Sequence, residues 1–410
     1  MRHLKRVRAG ALVMGLAMVV TACGAGRGAS TTESEPGISD DEIVLGTSLA
    51  LSGPLSVYGN FSDSMNAWFQ YVNDTEGGVD GRKIKLITYD DAFEPSRTLE
   101  NVRRLNEQDK VFSIVGIIGT QPNLGVLDYT NKSEIPSLFL GAGTAALGED
   151  PEAHPFTVPY LVPYPTEGSI VARHLVEAQP DATVAVLARD DDGGTDWLKG
   201  FKKGIEGSNV KIVAEEFADV NAATVDSQMV NLAQSKADVF LNVNNPKQAS
   251  QAISFVGESS WKPVQYLASY ASSIESTLKP AGLDNAKGII STQYLKDPAD
   301  AALADDELVK KYLEIVKKYA PKVNVNDVNT VVSGAVVGQM MVEALRGMKE
   351  PTRKALMESV HSMHGVEMDM LLPGIKVNLS DKDHNPLECL QVQEFTGERY
   401  KFIGDVICDE

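Results

Sequence analysis

From residue 42 onward, short β-branched runs alternate with longer amphipathic stretches, and this alternation limits the possible folds more than any other feature. Glu42–Ala50 reads as a strand. Phe61, Met65, Trp68, Phe69 and Val72 then fall on one helical face, and Gly77-Gly78 stops that helix. Lys83–Tyr89 predicts a strand, Pro95–Gln108 a helix, Val111–Gly116 a strand, Asn123–Lys132 a helix and Ser137–Leu140 a strand. Parallel strands need crossovers of this length, and helices usually supply them. The pattern therefore predicts a parallel sheet with helices on both faces.

The rhythm restarts after a Pro-rich crossing at Pro155–Pro165. Helices are expected at Thr166–Ala178, Asp196–Gly204, Val225–Ser235 and Gln248–Gly257. Strands are expected at Thr183–Ala188, Val210–Phe217, Val239–Val243 and Val264–Ala268. Ile289–Leu295 reads as a return crossing, followed by helices at Asp306–Tyr319, Asn329–Gly347 and Arg353–His361. The expected fold class is α/β: two doubly wound, Rossmann-like lobes joined by a multi-crossing hinge. Residues 39–157 plus 292–372 would form lobe I, and residues 158–291 plus 373–410 lobe II. Ligands of such sheets bind beyond the carboxyl ends of the strands, so a cleft closing on a hinge is the expected site.

The N-terminus fixes location. Met1 to Arg8 carries four positive side chains and no acid, Ala9 to Val20 is apolar apart from small residues, and Val20-Thr21-Ala22-Cys23 ends the segment. A basic start, a short apolar stretch and small residues make a secretory signal over residues 1–22. The apolar stretch falls short of the roughly 20 residues that a spanning helix needs. Small residues before a Cys resemble the bacterial lipobox, which implies lipidation of Cys23. The chain would then sit on the extracytoplasmic face of a membrane, held by its lipid. Residues 23–38 are small and polar, and they read as a flexible tether.

The whole chain has a net charge of −18, and without residues 1–22 it is −22. So acidic a surface excludes nonspecific nucleic-acid binding, which needs clustered Lys and Arg. Cys389 and Cys408 flank two apolar runs around Thr396-Gly397-Glu398-Arg399, a plausible hairpin. In an oxidising compartment they could pair, although simple hairpin register leaves them one residue out of opposition. Two buried thiols are the alternative.

Ala50-Leu51-Ser52-Gly53-Pro54 with Tyr58-Gly59 after the first strand resembles the opening signature of the periplasmic Leu/Ile/Val-binding protein family, the type I solute-binding proteins of ABC importers. Gly77-Gly78-Val79, Tyr89-Asp90-Asp91, Gly119-Thr120-Gln121-Pro122-Asn123, Ile135-Pro136, Lys279-Pro280-Ala281-Gly282-Leu283 and Leu372-Pro373-Gly374-Ile375 match in the same order. The resemblance covers nearly all of residues 42–407. It points to the branch associated with aromatic or other non-amino-acid carboxylates. It implies a small carboxylate ligand, delivery to an ABC permease, no cofactor and no metal; a monomer is expected.

The resemblance also places site residues. Gly-rich turns that present backbone N–H groups at helix N-termini suit an anion. In the family, two first-lobe turns grip the ligand carboxylate, and here they fall on Gly119, Thr120, Gly141, Gly143 and Thr144. Ser52 belongs to the opening signature, and Tyr58, Tyr160 and Tyr270 are candidates for an aromatic wall. Each of these positions could equally serve ordinary turn geometry or packing.

Three departures from the family's amino-acid binders stand out. The acid that holds a ligand ammonium falls at Tyr270. An ammonium shut into a dry cleft without a partner would cost several kcal/mol. Gly193 stands where the family usually places an aromatic residue, which predicts a wider pocket. Asn242, Asn244 and Asn245 replace Gly and Tyr; they suit a ligand hydroxyl or carbonyl, or a turn before Pro246. A hydrophobic or aromatic carboxylate is the first expectation. A branched-chain amino acid comes second, and a sensor module acting through a partner is the different-class rival.

An enzyme finds little support. There is no G-x-S-x-G elbow, no G-x-x-x-x-G-K-[ST] loop and no strand-linked G-x-G-x-x-G. His361, His364 and His384 read as surface residues rather than metal ligands. The run Asp190-Asp191-Asp192 reads as a loop, because it lacks the alternating spacing of a calcium site.

Overall fold

In the computed structural model, which describes residues 35–408, the alternating pattern resolves into two sheets. The expected signal segment, Cys23 and residues 24–34 of the tether lie outside the described residues. The folded part begins earlier than residue 39. Ile38 is buried, and a Cβ on Gly37 would sit 2.1 Å from the Phe112 amide nitrogen, so the end of the expected tether packs on the first lobe.

The first lobe is built from β1 (Glu42–Leu49), α1 (Gly59–Thr75), β2 (Lys83–Asp90), α2 (Pro95–Glu107), β3 (Ser113–Val115), α3 (Thr120–Lys132), β4 (Ser137–Leu140) and β5 (Thr157–Pro159). Its sheet runs β2-β1-β3-β4-β5, with every pair parallel. β5 lies inside the Pro-rich crossing and is not apparent from sequence. It is an edge strand, where a proline leaves no ladder bond broken. α1 buries Phe61, Met65, Trp68, Phe69 and Val72 on one face of this sheet. It packs on the helix Ser333–Arg346, and Gly334 permits the approach: a Cβ there would lie 2.3 Å from the Phe61 carbonyl oxygen. By length and composition Val328–Arg346 could cross a membrane, yet it is buried in this core. α2 and α3 cover the opposite face around Val102, Leu105 and Val126.

The second lobe takes α4 (Tyr164–Ala178), β6 (Thr183–Arg189), α5 (Asp192–Gly204), β7 (Lys211–Ala218), α6 (Asp226–Gln234), β8 (Val239–Val243), α7 (Pro246–Glu258), β9 (Val264–Leu267) and β10 (Ile290–Gln293). It is completed near the C-terminus by β13 (Cys389–Phe395) and β14 (Tyr400–Cys408), giving the order β14-β13-β10-β9-β8-β6-β7. Only the β10–β13 and β13–β14 pairs are antiparallel. The chain passes between the sheets at residues 160–163, 294–296 and 387–389.

Residues 373–388 depart from the expected division. Ile375, Val377, Leu379 and Leu387 bury with first-lobe side chains, and β12 (Val377–Asn378) pairs with β11 (His364–Val366). The second lobe therefore resumes at Cys389. There, Cys389 and Cys408 are joined by a disulfide. An irregularity after Leu390 shifts the register so that the two cysteines stand opposite each other. Gly404, at φ +66° with its carbonyl accepting from the Gln391 side chain at 2.8 Å, occupies that bulge.

Candidate ligand-binding cleft

The carboxyl ends of the strands in both lobes converge on one cavity, as a doubly wound topology dictates. It encloses about 610 Å³ of unfilled space, open solvent included. From the first lobe come Tyr58, Phe61, Phe93, Gly119, Gly141 and Tyr160. Gly119 caps α3 at φ +105°, and a Cβ there would meet the Phe93 ring at 2.4 Å. Phe93 in turn lies 5.9 Å from the Tyr58 ring. Tyr160 and Tyr294 meet edge to face at 6.0 Å.

From the second lobe come Tyr164, Arg189, Asn245, Ser269 and Tyr270. Arg189, the last residue of β6, is the only charged side chain lining the cavity among the described residues, and it is 4% exposed. Tyr164 and Tyr270 pack edge to face at 5.5 Å, and the guanidinium lies 4.9 and 5.0 Å from their ring centroids. Its Nη2 donates to Thr120 Oγ1 across the cleft at 3.0 Å. Its Nε lies 2.9 Å from Asp191 Oδ1, but its N–H is not aimed at an acceptor. Burial opposes the charge, but Tyr164, Tyr270 and Asp191 outweigh it and hold Arg189 protonated. Burial also raises the phenols of Tyr58, Tyr270 and Tyr294 and pushes Tyr160 up to about 12, so the wall is neutral. The Tyr270 hydroxyl is buried without a partner.

The lobes also touch beside the cavity. Asp191 caps α5, its Oδ1 accepting from the Gly194 amide at 2.8 Å. Asp192 accepts from Gln121 Nε2 at 2.9 Å. Asp196 accepts from Thr144 Oγ1 at 2.5 Å and from the Ala145 amide at 2.9 Å. The acid run thus leads into a helix: Asp191 caps it, and Asp192, like Asp196 a turn later, faces the other lobe.

Several expected residues fall elsewhere. Tyr58, Gly119, Gly141, Tyr160 and Tyr270 line the cavity, and Thr120 reaches its edge through Arg189. Thr144 spends its hydroxyl on Asp196. Gly143 packs under Tyr164, where a Cβ would lie 2.4 Å from the Val162 carbonyl oxygen. Ser52 binds the Asp90 carboxylate at 2.6 Å near the surface. Asn242 and Asn244 are buried in the second lobe, where they donate to the Ala249 and Leu187 carbonyls; only Asn245 reaches the cavity. Gly193 does not widen the pocket. A Cβ there would lie 1.8 Å from Arg189 Nη2, so the guanidinium fills the space an aromatic ring would take. Arg189 itself went unrecognised in the sequence; the available signal was a charged residue ending an apolar strand. Of the histidines, His364 is exposed as expected, but His384 is 1% exposed and its Nε2 stands 3.0 Å from Nε2 of the half-buried His361.

The profile of the periplasmic binding protein family matches residues 42–399. The chain belongs to that family. A Leu/Ile/Val-binding protein homolog from Brucella suis is 22% identical over 232 residues, spanning 54% of this chain and 57% of its own length. This chain thus matches little more than half of that curated relative. A branched-chain amino-acid ABC transporter protein from Thermus thermophilus, solved with bound valine, superposes with TM-score 0.81 at 17% identity, covering 91% of this chain and 98% of that one. A solute-binding protein from R. palustris, in complex with 4-hydroxybenzoate, gives TM-score 0.75 at 17% identity, over 90% and 98%. The fold is that of type I periplasmic binding proteins, with two lobes, as expected from sequence.

Proposed function

We propose that this protein is an extracytoplasmic, Cys23-anchored solute receptor that captures a small hydrophobic or aromatic carboxylate and hands it to an ABC permease. The observation that carries this reading is Arg189. A buried guanidinium set between tyrosine rings, already beside Asp191 but with an Nε N–H that Asp191 does not accept, can take a further anion in the cleft. The aromatic walls favour an apolar body on that anion. Residues Ser52, Gly143, Thr144, Asn242 and Asn244 leave the proposed ligand set; Tyr58, Gly119, Thr120, Gly141, Tyr160, Arg189, Asn245 and Tyr270 form it.

A branched-chain amino acid is the second reading, favoured by the valine-bound relative. Against it stands the lining, which includes no carboxylate to meet an ammonium. Closure of the lobes over the ligand would present the form the permease accepts.

A thermal-shift screen of benzoate, 4-hydroxybenzoate, a medium-chain fatty acid, leucine and valine tests the ligand class. A ligand at a hundred times its Kd should stabilise by about 2.7 kcal/mol. Stabilisation by leucine alone would overturn the carboxylate reading, and turnover of any hit would overturn a receptor role. Separately, Cys23→Ala should release the protein from the membrane fraction of its cells; retention would remove the anchor.

A further inference from the structure

A second cavity lies against the crossing strands, sharing no residue with the cleft. It holds about 540 Å³ of unfilled space, open solvent included. Gln293 and Leu295 come from the strand leaving β10, and Leu372 from the segment running beside it, where Leu295 and Leu371 form a bridge. The hairpin β13–β14 supplies Gln393, Tyr400 and Phe402. Ser273 Oγ donates to Asp327 Oδ1 at 3.0 Å, in the stretch of chain that separates this cavity from the cleft.

Two of its polar groups find no partner in the protein. Gln393 is 3% exposed, and its Nε2 has no partner; the Tyr400 hydroxyl is also buried and unpaired. Such groups are uncommon in native interiors, and beside a cavity a bound species can meet them. Asp297 uses Oδ1 to accept the Ala299 amide at 2.8 Å, which leaves its second oxygen as an acceptor. Asp300 is already paired with Arg399 at 3.2 Å. The cavity therefore offers donors from Gln393 and Tyr400, an acceptor from Asp297, and apolar contact from Phe402 and Leu372.

We propose that this hinge-side cavity is a second binding site, for a small uncharged polyhydroxyl compound. A hydroxyl donates and accepts at once, so neighbouring hydroxyls can meet Asp297 and Gln393 together. An ammonium only donates and would leave the Gln393 N–H groups unmet. The carbon face of a polyol would lie on Phe402 and Leu372.

The test is saturation-transfer NMR with xylitol as the probe, on the full folded protein. Wild type should give a saturable signal. Gln393→Leu should weaken binding about tenfold or more, and the milder Tyr400→Phe about fivefold. Arg189→Met, in the cleft, should leave xylitol binding unchanged, which separates this site from the carboxylate reading. No saturable xylitol signal in wild type, as expected if only water fills the cavity, would overturn the proposal. So would equal binding in both hairpin variants, loss of binding in Arg189→Met, or occupation by methylammonium that xylitol cannot displace.

Discussion

The two walls of the cleft are built from different material. The first lobe contributes turns and rings: Gly119, Gly141, Tyr58, Phe93 and Tyr160, with no charged side chain in the lining. The second lobe contributes Arg189 to the lining and Asp191, Asp192 and Asp196 on α5 beside it. The first wall is set by backbone geometry, which tolerates many ligands carrying an anion. The second is set by side chains, with Arg189 and Asp191 forming a buried pair in which Asp191 also caps α5. Under the proposed function, selectivity would reside in the second lobe, and the lobe contacts made by α5 would tie it to closure.

The largest effect should come from Arg189→Met. Removing one member of a buried, hydrogen-bonded charge pair costs about 2–5 kcal/mol, which lowers carboxylate affinity at least about thirtyfold. Calorimetry with the best ligand of the screen measures it. An unchanged Kd would mean that the first-lobe turns hold the anion and that the comparison of the two walls is wrong. Gly193→Ala should follow. Its new Cβ, 1.8 Å from Nη2, must push the guanidinium off Thr120. Because the obstacle is the end of a side chain, the fold should survive while affinity drops about tenfold. Gly194 behaves differently: a Cβ there meets the Arg189 carbonyl oxygen at 2.1 Å, so its substitution should damage stability instead.

These adjacent glycines show what was legible in the sequence. Periodicity located the long helices that cover the two sheets, because burial on one face writes itself into spacing, but not the short helical turns over residues 274–286, too short to show a period. The turns at Gly119 and Gly141 were legible as backbone geometry at strand ends, and both line the cavity. Arg189 was not, because nothing local says that the end of β6 lies opposite Thr120, 69 residues away in the chain. Asn242 and Asn244 misled for the same reason: their partners, Ala249 and Leu187 carbonyls, depend on how α7 and β6 sit against β8. Residues 373–388 were assigned by continuity, whereas their apolar side chains bury in the other lobe's core.

A smaller effect is expected for Asp196→Ala. Asp196 takes two first-lobe donors, Thr144 Oγ1 and the Ala145 amide, at the turn that the resemblance assigns to a ligand carboxylate. The second lobe thus brings its own carboxylate to that turn, so in the proposed reading the ligand's anion falls to Arg189. Losing both bonds should weaken closure by about 1–2 kcal/mol, a shift of about five- to thirtyfold in the balance of open and closed forms. Small-angle scattering of the ligand-free variant should show a larger radius of gyration, and ligand affinity should fall in proportion. A radius unchanged from wild type would show that the latch does not bear on closure.

The smallest effect concerns pH, and it lies away from the cleft, where the segment before β13 meets β5. His384 Nδ1 must donate to the Thr157 carbonyl at 2.7 Å, since a carbonyl only accepts. In the neutral pair, His384 Nε2 then accepts from His361 Nε2 at 3.0 Å, with the rings stacked 5.0 Å apart. Burial lowers both imidazoles below their usual 6.5, only partly offset by Asp381 and Asp383. A group with a depressed folded pKa contributes stability that is present above its unfolded value and is lost as the pH falls through the folded one. Stability should therefore decline as the medium is acidified below about 6.5, by well under about 1 kcal/mol given the partial exposure of His361. His361→Gln should flatten that part of the profile in urea titrations run at a series of pH values, while leaving carboxylate affinity at neutral pH untouched. If the variant instead altered ligand affinity as much as Asp196→Ala does, the histidine pair would belong to the closing machinery, and selectivity could no longer be assigned to the cleft walls alone.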